Sequence, residues 1–340
     1  MPALAVADAL RADGAEVVFV GGDRAEATLV PEAGYPLHRI EVEGLSRSNP
    51  LHALRAAGKA AKAVRTAKGL LKDLAPDAVM GGGGYVAGPV GAAAVRAHVP
   101  LVLTEADSHL GITNRALARF AARVCLAFPI EGREGERYLV TGRPVPPPFA
   151  DRDAARAAFG LGEDERCVLV FGGSLGARSI NEAAVEAFAD APFRVLHSAG
   201  TRDEPGLRDR VRRPGYDLRA YISPFGEALA AADLTVARSG GSVAEIAAHG
   251  VPAILVPYPH AAGDHQTANA RWMERGGAAV VIADDALTAE RLGLEVDALL
   301  GDEERLAGMR LASQGLARPH AAREIADEVL AAAAGGRGDA

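Results

Sequence analysis

The amino-acid sequence predicts an α/β protein made of two doubly wound domains. Short runs rich in β-branched residues alternate along the chain with alanine-rich segments of helical periodicity, as in parallel strands joined by crossover helices. A run of prolines divides the chain near its middle. Glycine-rich stretches follow several predicted strands, which is where doubly wound domains bind ligands. A cleft between two sets of strand ends is therefore expected.

Strands are expected at similar spacing on both sides of the proline run. They lie at Glu16–Val20, His38–Glu43, Ala78–Met80, Leu101–Thr104, Val124–Ala127, Tyr138–Thr141, Cys167–Phe171, Arg194–Ser198, Leu218–Tyr221, Leu234–Ala237, Ala253–Val256 and Ala279–Ile282. Helices are expected between them, among others at Pro2–Arg11, Asn114–Ala122, Ser179–Ala189, Phe225–Ala231, Gly241–Ala248, Gln266–Arg275 and Ala321–Ala334. The two halves thus share one alternation of strand and helix.

Length, charge and cysteine usage narrow the class of protein. The 340 residues exceed one typical core, so two domains of roughly 150 residues are expected. The formal net charge of −7 argues against non-specific binding of nucleic acid. Cys125 and Cys167 lie in apolar runs, which indicates buried thiols in a reducing compartment. No apolar run approaches the about 18 residues of a spanning helix, so we expect a cytoplasmic protein, at most seated on a membrane surface.

The proline-rich stretch Gly142–Phe149 marks the domain boundary. Consecutive prolines continue neither a strand nor a helix and act as a stiff spacer. The sequence therefore predicts a first domain over residues 1–145 and a second over 146–340.

The beginning of the chain departs from this pattern. A helix opens directly at Pro2, whereas a doubly wound domain normally opens with a central strand and a glycine-rich turn. We expect that this strand is supplied otherwise, or that the true start codon lies upstream of Met1.

Two glycine-rich loops in the second half predict a site for an anionic ligand. In Phe171–Arg178 the glycines allow close backbone approach, Ser174 offers a hydroxyl, and the following helix directs free N–H groups at an anion. This loop is either a binding site for a diphosphate or a tight strand-to-helix turn. In Arg238–Glu245, Ser242 is a candidate helix cap. There Glu245 either complements the helix dipole or accepts hydrogen bonds from a ribose diol.

A third loop, Pro257–Asn269, carries closely spaced polar side chains that suit sugar hydroxyls. A metal site is the weaker reading, because the spacing of His260, Asp264 and His265 matches no helix-borne ligand pair. Asp151-Arg152-Asp153 superficially matches an Asp-x-Asp metal motif. Because it opens a helix, we expect its carboxylates to complement the positive end of the helix dipole instead.

The first half holds a further glycine run and a basic helix. Four consecutive glycines in Gly81–Pro89 cost chain entropy, so close approach to a phosphate-bearing ligand is favoured over a flexible turn. Between Leu45 and Ala75, basic side chains cover one half of a helix and apolar ones the other. This helix is either a solvated face or a surface for anionic lipid. The basic residues are Arg47, Arg55, Lys59, Lys62, Arg65, Lys68 and Lys72.

Taken together, these motifs resemble the MurG family of UDP-N-acetylglucosamine transferases. The resemblance rests on GGGGYVAGP, TEADSHLGITNR, AFP, FGGSLGARSIN, RSGGSVAEIAAHGVPAILVPYPHA and DHQTANA, which occur in the family's order over essentially the whole chain. It implies the GT-B fold, with two Rossmann-like domains facing a cleft. It also implies inverting transfer of GlcNAc from UDP-GlcNAc to undecaprenyl-diphosphoryl-MurNAc-pentapeptide (lipid I), giving lipid II, without a metal or cofactor.

The resemblance further implies partners, location and site residues. The implied partners are UDP-GlcNAc, lipid I and an anionic membrane surface. Other cell-wall and division proteins are further candidates, and nucleic acid is not expected. The location is peripheral, on the cytoplasmic face of the cell membrane. The implied donor-site residues are Gly173, Ser174, Ile222, Gly240, Gly241, Ser242, Val243, Glu245 and Gln266. Acceptor contacts fall on Gly83, Gly84 and Tyr85.

Three departures from the family pattern qualify these assignments. The family's glycine-rich loop with its candidate catalytic histidine would precede Met1, so no catalytic residue is assigned. Asp107 stands where a sugar-contacting asparagine is expected. Arg143 stands three residues before the position at which the family has a diphosphate-contacting arginine. Another GT-B transferase with a different acceptor, or an inactive UDP-sugar-binding scaffold, are the alternatives.

Overall fold

The chain forms two compact units. The structure is a computed structural model that describes residues 2–40, 42, 50–173 and 176–336, with side chains except at 50–60 and 262. The first unit comprises Met1–Val145 together with Pro319–Ala340, and the second is the continuous segment Pro146–Arg318.

The described residues alternate between strands and helices throughout. The strands are β1 (Phe19–Gly21), β2 (Leu37–Arg39), β3 (Val79–Gly81), β4 (Leu101–Glu105), β5 (Arg123–Leu126), β6 (Tyr138–Val140), β7 (Cys167–Phe171), β8 (Arg194–Ser198), β9 (Tyr216–Arg219), β10 (Leu234–Ala237), β11 (Ala253–Leu255) and β12 (Ala279–Val281). The helices are α1 (Pro2–Ala12), α2 (Glu26–Glu32), α3 (Pro50–Leu74), α4 (Gly84–Arg96), α5 (Ile112–Leu117), α6 (Arg152–Ala158), α7 (Arg178–Ala187), α8 (Glu204–Leu207), α9 (Phe225–Ala231), α10 (Val243–Ala248), α11 (His265–Arg275), α12 (Ala289–Leu300), α13 (Glu303–Leu316) and α14 (Ala321–Gly336). Among the described residues no helix is long and apolar enough to cross a bilayer.

The second unit contains one parallel sheet of six strands. Its order is β12-β11-β10-β7-β8-β9, so the first strand lies in the middle and the order reverses between β7 and β10. In an open α/β sheet this reversal opens a crevice at the carboxyl ends of the two central strands. Each of the two glycine-rich loops of this unit follows one of these strands.

Burial on both faces explains the strand sequences of this sheet. Every residue of Cys167–Phe171 and of Leu234–Ala237 is buried. A strand covered by helices on both faces has no solvent-facing positions, so it reads as a continuous apolar run. Ile180 and Ala184 of α7 pack in the same core as Val168.

The first unit contains two separate parallel sheets. β1 pairs with β2, and β3-β4-β5-β6 form a second sheet. In the second unit, the strand β7 joins β10 to β8, whereas among the described residues of the first unit no strand joins β3 to β1. The first expected strand, Glu16–Val20, begins only at Phe19. Part of the second, His38–Glu43, lies outside the described residues.

The C-terminal helix corrects the predicted domain division. Residues 319–340 were expected in the second domain, but α14 packs on α1 and contacts β4 and β5. Its apolar stripe, including Ile325 and Val329, shares a core with Val6 and Leu10. An amphipathic stripe shows that a helix must be covered, but it does not specify which of two similar sheets covers it.

Candidate functional site

Three glycines shape the loop between β7 and α7. A Cβ on Gly172 would lie 2.3 Å from the Cβ of Ala177, and one on Gly176 would lie 1.9 Å from the carbonyl oxygen of Ala199. Gly173 differs, because its φ is +93° and a Cβ there would meet none of the described residues within 4 Å. Close packing therefore accounts for two of the glycines, whereas Gly173 presents its backbone to open space.

The helix α7 begins directly after this loop and directs its unpaired backbone N–H groups toward it. Ser174, the predicted hydroxyl donor, lies outside the described residues. In the first turn, the Asn181 side chain donates to the carbonyl of Ala199 at 2.9 Å and to Asp203 at 3.1 Å. A hydrogen bond from Arg202 lowers the pKa of Asp203, so this carboxylate stays charged beside the loop.

A buried histidine on β8 is hydrogen-bonded to Asn181 of the same helix. The His197 ring is fully buried, with Nε2 3.1 Å from the Asn181 amide oxygen and Nδ1 2.8 Å from the Tyr216 hydroxyl. Because the Asn181 oxygen only accepts, Nε2 carries the proton and the Tyr216 hydroxyl donates to Nδ1. Burial lowers the pKa of His197 to about 3, so the ring is neutral at physiological pH.

The loop between β10 and α10 lies across the sheet reversal from the first loop. Gly240, Gly241 and Ser242 are partly exposed, while the Val243 side chain is fully buried and offers only its backbone. Ser242 occupies the predicted N-cap position of α10, but its side chain makes no capping hydrogen bond. The partly exposed Glu245 lies in the first turn of α10, near the positive end of the helix.

Gln266 is held against the second loop from α11. Its side-chain oxygen accepts from the Tyr258 N–H at 3.0 Å, and its carbonyl accepts from the Ser239 hydroxyl at 2.7 Å. Its amide nitrogen lies 3.8 Å from where a Cβ on Gly240 would stand. Asn269, one turn further along, donates to the Ser239 carbonyl at 3.0 Å. These bonds bring the predicted sugar-contacting glutamine to the predicted nucleotide loop.

Ile222 follows β9 and reaches the same end of the sheet. Its side chain is fully buried, which leaves its backbone for any ligand contact. The next helix begins at Phe225, whose ring packs edge-on against Phe171 at the end of β7, with the centroids 4.9 Å apart.

Sequence reasoning missed the buried Arg238, which precedes the second glycine pair. Its guanidinium is hydrogen-bonded to Ser179, Asp284 and two backbone carbonyls. The available signal in the sequence was an arginine directly after the apolar run of a predicted buried strand.

In the first unit, the glycine run opens the helix α4. Gly83 and Gly84 have φ values of +79° and +78°, and a Cβ on either would meet nothing within 4 Å in the part of the chain that the structure describes. The Tyr85 hydroxyl donates to Glu26 at 3.2 Å, and the same carboxylate accepts from the Gly22 N–H at 3.0 Å. Burial and the bond to Glu26 raise the pKa of Tyr85. This pair links the ends of β1 and β3.

Arg143 contacts the residue before Asp107 in the first unit. An Arg143 guanidinium nitrogen is 3.5 Å from the carbonyl oxygen of Ala106. The buried Glu105 orders this loop by accepting from the Asp107 N–H at 3.3 Å and the Asn114 amide at 2.9 Å. The two residues lie in the first unit and the glycine-loop site in the second.

Two sequence patterns have structural explanations. Asp151 caps α6 by accepting from the Ala154 N–H at 2.9 Å, which confirms the reading of the Asp-x-Asp pattern. In the third loop, Asp264 accepts from the Thr267 hydroxyl at 2.6 Å, and the His260 ring packs edge-on against Tyr258.

Comparison with known families covers both units. The family model of the glycosyltransferase family 28 N-terminal domain matches residues 1–126, and that of the C-terminal domain matches residues 167–328. Among solved structures, MurG of Acinetobacter baumannii aligns with a TM-score of 0.81 and 30% identity over 97% of this chain and 95% of that one. The calicheamicin glycosyltransferase CalG4 aligns with a TM-score of 0.70 and 19% identity over 97% and 94%, which supports the fold alone.

Curated relatives are similar over almost their full length. One from Salinibacter ruber, a UDP-N-acetylglucosamine–N-acetylmuramyl-(pentapeptide) pyrophosphoryl-undecaprenol N-acetylglucosamine transferase, is 43% identical over 98% of this chain and 93% of its own. One of the same name from Moorella thermoacetica is 40% identical over 97% and 94%. Fold and matches together define a glycosyltransferase of the GT-B type. The chain belongs to glycosyltransferase family 28, in the group that contains these N-acetylglucosamine transferases.

Proposed function

We propose that this protein transfers GlcNAc from UDP-GlcNAc to lipid I and so forms lipid II in peptidoglycan synthesis. The observation that carries the proposal is the pair of glycine loops at the sheet reversal of the second unit, in a chain that belongs to this family. Both loops follow central strands, where doubly wound domains bind nucleotides.

The donor is proposed to bind the second unit. Gly173 and Ser174, which precede α7 in the sequence, receive the diphosphate, because backbone N–H groups at a helix start favour an anion. Gly240, Gly241, Ser242 and the Val243 backbone line the nucleotide, and the Ile222 backbone meets the uracil. Glu245 accepts hydrogen bonds from the ribose hydroxyls, and the Gln266 amide donates to the sugar.

The acceptor is proposed to bind the first unit. Gly83 and Gly84 face open space at the start of a helix of 13 residues, which suits the lipid diphosphate. Tyr85 lies beside them. Asp107 adds a carboxylate for the sugar, and Arg143, which contacts the preceding residue Ala106, adds a guanidinium for the diphosphate.

The chemistry is an inverting displacement. A general base removes the proton from the acceptor hydroxyl, the oxygen attacks the sugar carbon, and UDP departs with the bonding electrons. Backbone N–H groups at the start of α7 stabilise the charge that develops on the departing diphosphate. Glu245 and Gln266 orient the donor, since a fixed geometry removes much of the entropic barrier.

The protein is proposed to bind the cytoplasmic face of the membrane as a peripheral protein, through α3. Lys62, Arg65, Lys68 and Lys72 are exposed on one side, while Ala63, Ala67 and Leu71 are buried on the other. Arg47 lies outside the described residues, as do the side chains of Arg55 and Lys59. On α5 and the turn after it, Ile112 and Phe120 are 56% and 51% exposed, which adds apolar side chains for a lipid interface.

A transfer assay with the full chain tests the function. The chain is incubated with radiolabelled UDP-GlcNAc and purified lipid I, and labelled lipid II is separated from free donor. We expect label in lipid II that depends on lipid I, and a strong decrease in the Glu245→Ala variant. Label transferred to another glycolipid, but not to lipid I, favours a different GT-B acceptor. UDP binding without transfer to any acceptor favours the scaffold alternative.

A further inference from the structure

The guanidinium of Arg238 is the centre of a buried polar cluster in the second unit. Arg238 is 8% exposed and directly follows β10. Nη1 donates to the Asp284 carboxylate at 2.6 Å and to the carbonyls of Val256 and Pro257 at 3.1 Å each. Nη2 donates to the Ser179 hydroxyl at 2.8 Å. That hydroxyl donates to the same Asp284 oxygen at 2.6 Å, which closes a triangle.

This cluster spans the carboxyl edge of four neighbouring strands. Asp284 follows β12, the two carbonyls follow β11, Arg238 follows β10, and Ser179 lies in the first turn of the helix after β7. The four strands are consecutive in the sheet order β12-β11-β10-β7. One side chain therefore connects both glycine loops, which otherwise belong to separate connections.

We propose that Arg238 is a positioning residue that sets the spacing of the two glycine loops and thereby the affinity for a nucleoside diphosphate. The inference rests on the proposed donor site. The guanidinium itself is committed to protein acceptors, so it acts through the loops. Backbone donors stabilise a diphosphate only when held near their productive positions, and a shift of about 1 Å is costly. A lysine retains the charge but loses the planar fork that serves several acceptors.

The same sheet provides a matched control at its opposite edge. Arg156 is also 8% exposed, and it donates to the carbonyls of Ala231, Gly162 and Glu165. It lies 3.5 Å from the Asp233 carboxylate. These acceptors lie just before β10 and β7, at the amino ends of the two strands. Arg238 connects the carboxyl ends of the same two strands. The two arginines thus match in burial and bonding but differ in distance from the loops.

The experiment compares Arg238→Lys with Arg156→Lys in the full chain. Urea unfolding measures stability, and isothermal titration calorimetry with UDP measures affinity. We expect similar losses of stability in both variants, a Kd for UDP raised at least tenfold in Arg238→Lys, and a Kd within twofold of the wild type in Arg156→Lys. In transfer assays the KM for UDP-GlcNAc should rise while that for lipid I stays within twofold.

A milder variant keeps the inference testable if Arg238→Lys does not fold. Ser179→Ala removes one corner of the triangle without leaving a buried charge unpaired, and we expect a Kd for UDP raised about threefold to tenfold. Unchanged UDP affinity in the folded Arg238→Lys or, failing that, in Ser179→Ala overturns the inference, as does equal weakening by the two lysine variants. A wild-type chain that binds no UDP overturns the proposed function as well.

Discussion

Gly173 and Gly176 stand three residues apart in one loop and serve different purposes. Gly176 lies against the backbone of Ala199 with no space for a methyl group, whereas Gly173 has a positive φ and no described residue that a methyl group would meet. The sequence identified a glycine loop, but it did not distinguish these tasks, because the difference depends on a strand distant along the chain. Alanine at each position should therefore produce a different defect.

Gly176→Ala is expected to lower the free energy of unfolding by at least about 2 kcal/mol, because a left-handed residue and a backbone clash are combined. Gly173→Ala is expected to cost about 1–2 kcal/mol while weakening UDP binding more than tenfold, since its methyl group occupies the proposed diphosphate position. Urea unfolding and UDP calorimetry measure both quantities. Gly206→Ala, at an unobstructed helical position, is the control and should be neutral or slightly stabilising. Tight UDP binding by Gly173→Ala would refute the diphosphate assignment.

The buried His197 makes stability depend on pH. Its pKa is lowered from 6.5 to about 3 in the folded protein, so below pH 6.5 the unfolded chain binds a proton that the folded chain does not. Stability is therefore lost as the pH falls through this window. Between pH 7.5 and pH 5 we expect a contribution of about 2 kcal/mol. Urea unfolding of the wild type and of His197→Gln at both pH values should give a smaller pH effect in the variant, and equal effects would contradict this account.

The helix α3 shows what a periodic sequence pattern can and cannot predict. The split into basic and apolar halves predicted the burial of Ala63, Ala67 and Leu71, whereas Leu74, on the predicted apolar half, is 36% exposed. The pattern does not identify what the basic half contacts, since solvent and anionic lipid suit the same residues. A vesicle experiment separates these two possibilities.

Removing two positive charges from α3 should weaken binding to anionic vesicles. Each surface basic residue contributes about 1 kcal/mol, so the double variant Lys62→Ala, Lys68→Ala should partition roughly 30-fold more weakly. Cosedimentation with vesicles containing anionic lipid gives the partition coefficient. The control, Arg291→Ala with Arg318→Ala, removes two exposed arginines from the second unit and should change little. Equal binding of the wild type to neutral and anionic vesicles would refute the electrostatic interaction.

Each of the twelve expected strands overlaps an observed strand, although part of His38–Glu43 lies outside the described residues. Buried parallel strands such as Cys167–Phe171 have a strong apolar signature, which makes them easy to predict. The two glycine loops of the second unit were predicted because glycines directly after such strands are conspicuous in the sequence. Long-range features were not predicted. The hydrogen-bond partners of Arg238 lie on three other connections, and α1, the packing partner of α14, is distant along the chain.

The packing of α14 on α1 makes a specific prediction about stability. Ile325 is 1% exposed in the core that contains Val6 and Leu10, so Ile325→Ala should destabilise the first unit by about 2–5 kcal/mol. Leu311, 69% exposed on α13 in the second unit, is the control, and Leu311→Ala should be nearly neutral. Thermal unfolding with and without UDP distinguishes the units. A transition that UDP stabilises should be the one least affected by Ile325→Ala.

On the scale of the whole molecule, the second unit is a continuous segment and the first is not. Residues 146–318 should therefore fold alone and bind UDP, which heteronuclear NMR and calorimetry can establish. A fragment of residues 146–340, which follows the division predicted from sequence, should carry an uncovered apolar stripe on α14 and aggregate more readily. Equal solubility of the two fragments would show that α14 does not need its partner.

The division of the chain also sets an order of events on the ribosome. α1 is made before Pro146–Arg318, whereas α14, which covers Val6 and Leu10, is made after that segment. Completing the first unit must wait until Pro146–Arg318 has been synthesised, roughly 10–35 s at about 5–20 residues per second. The nascent first unit therefore exposes an apolar surface while the second is completed, a period in which a chaperone can bind it.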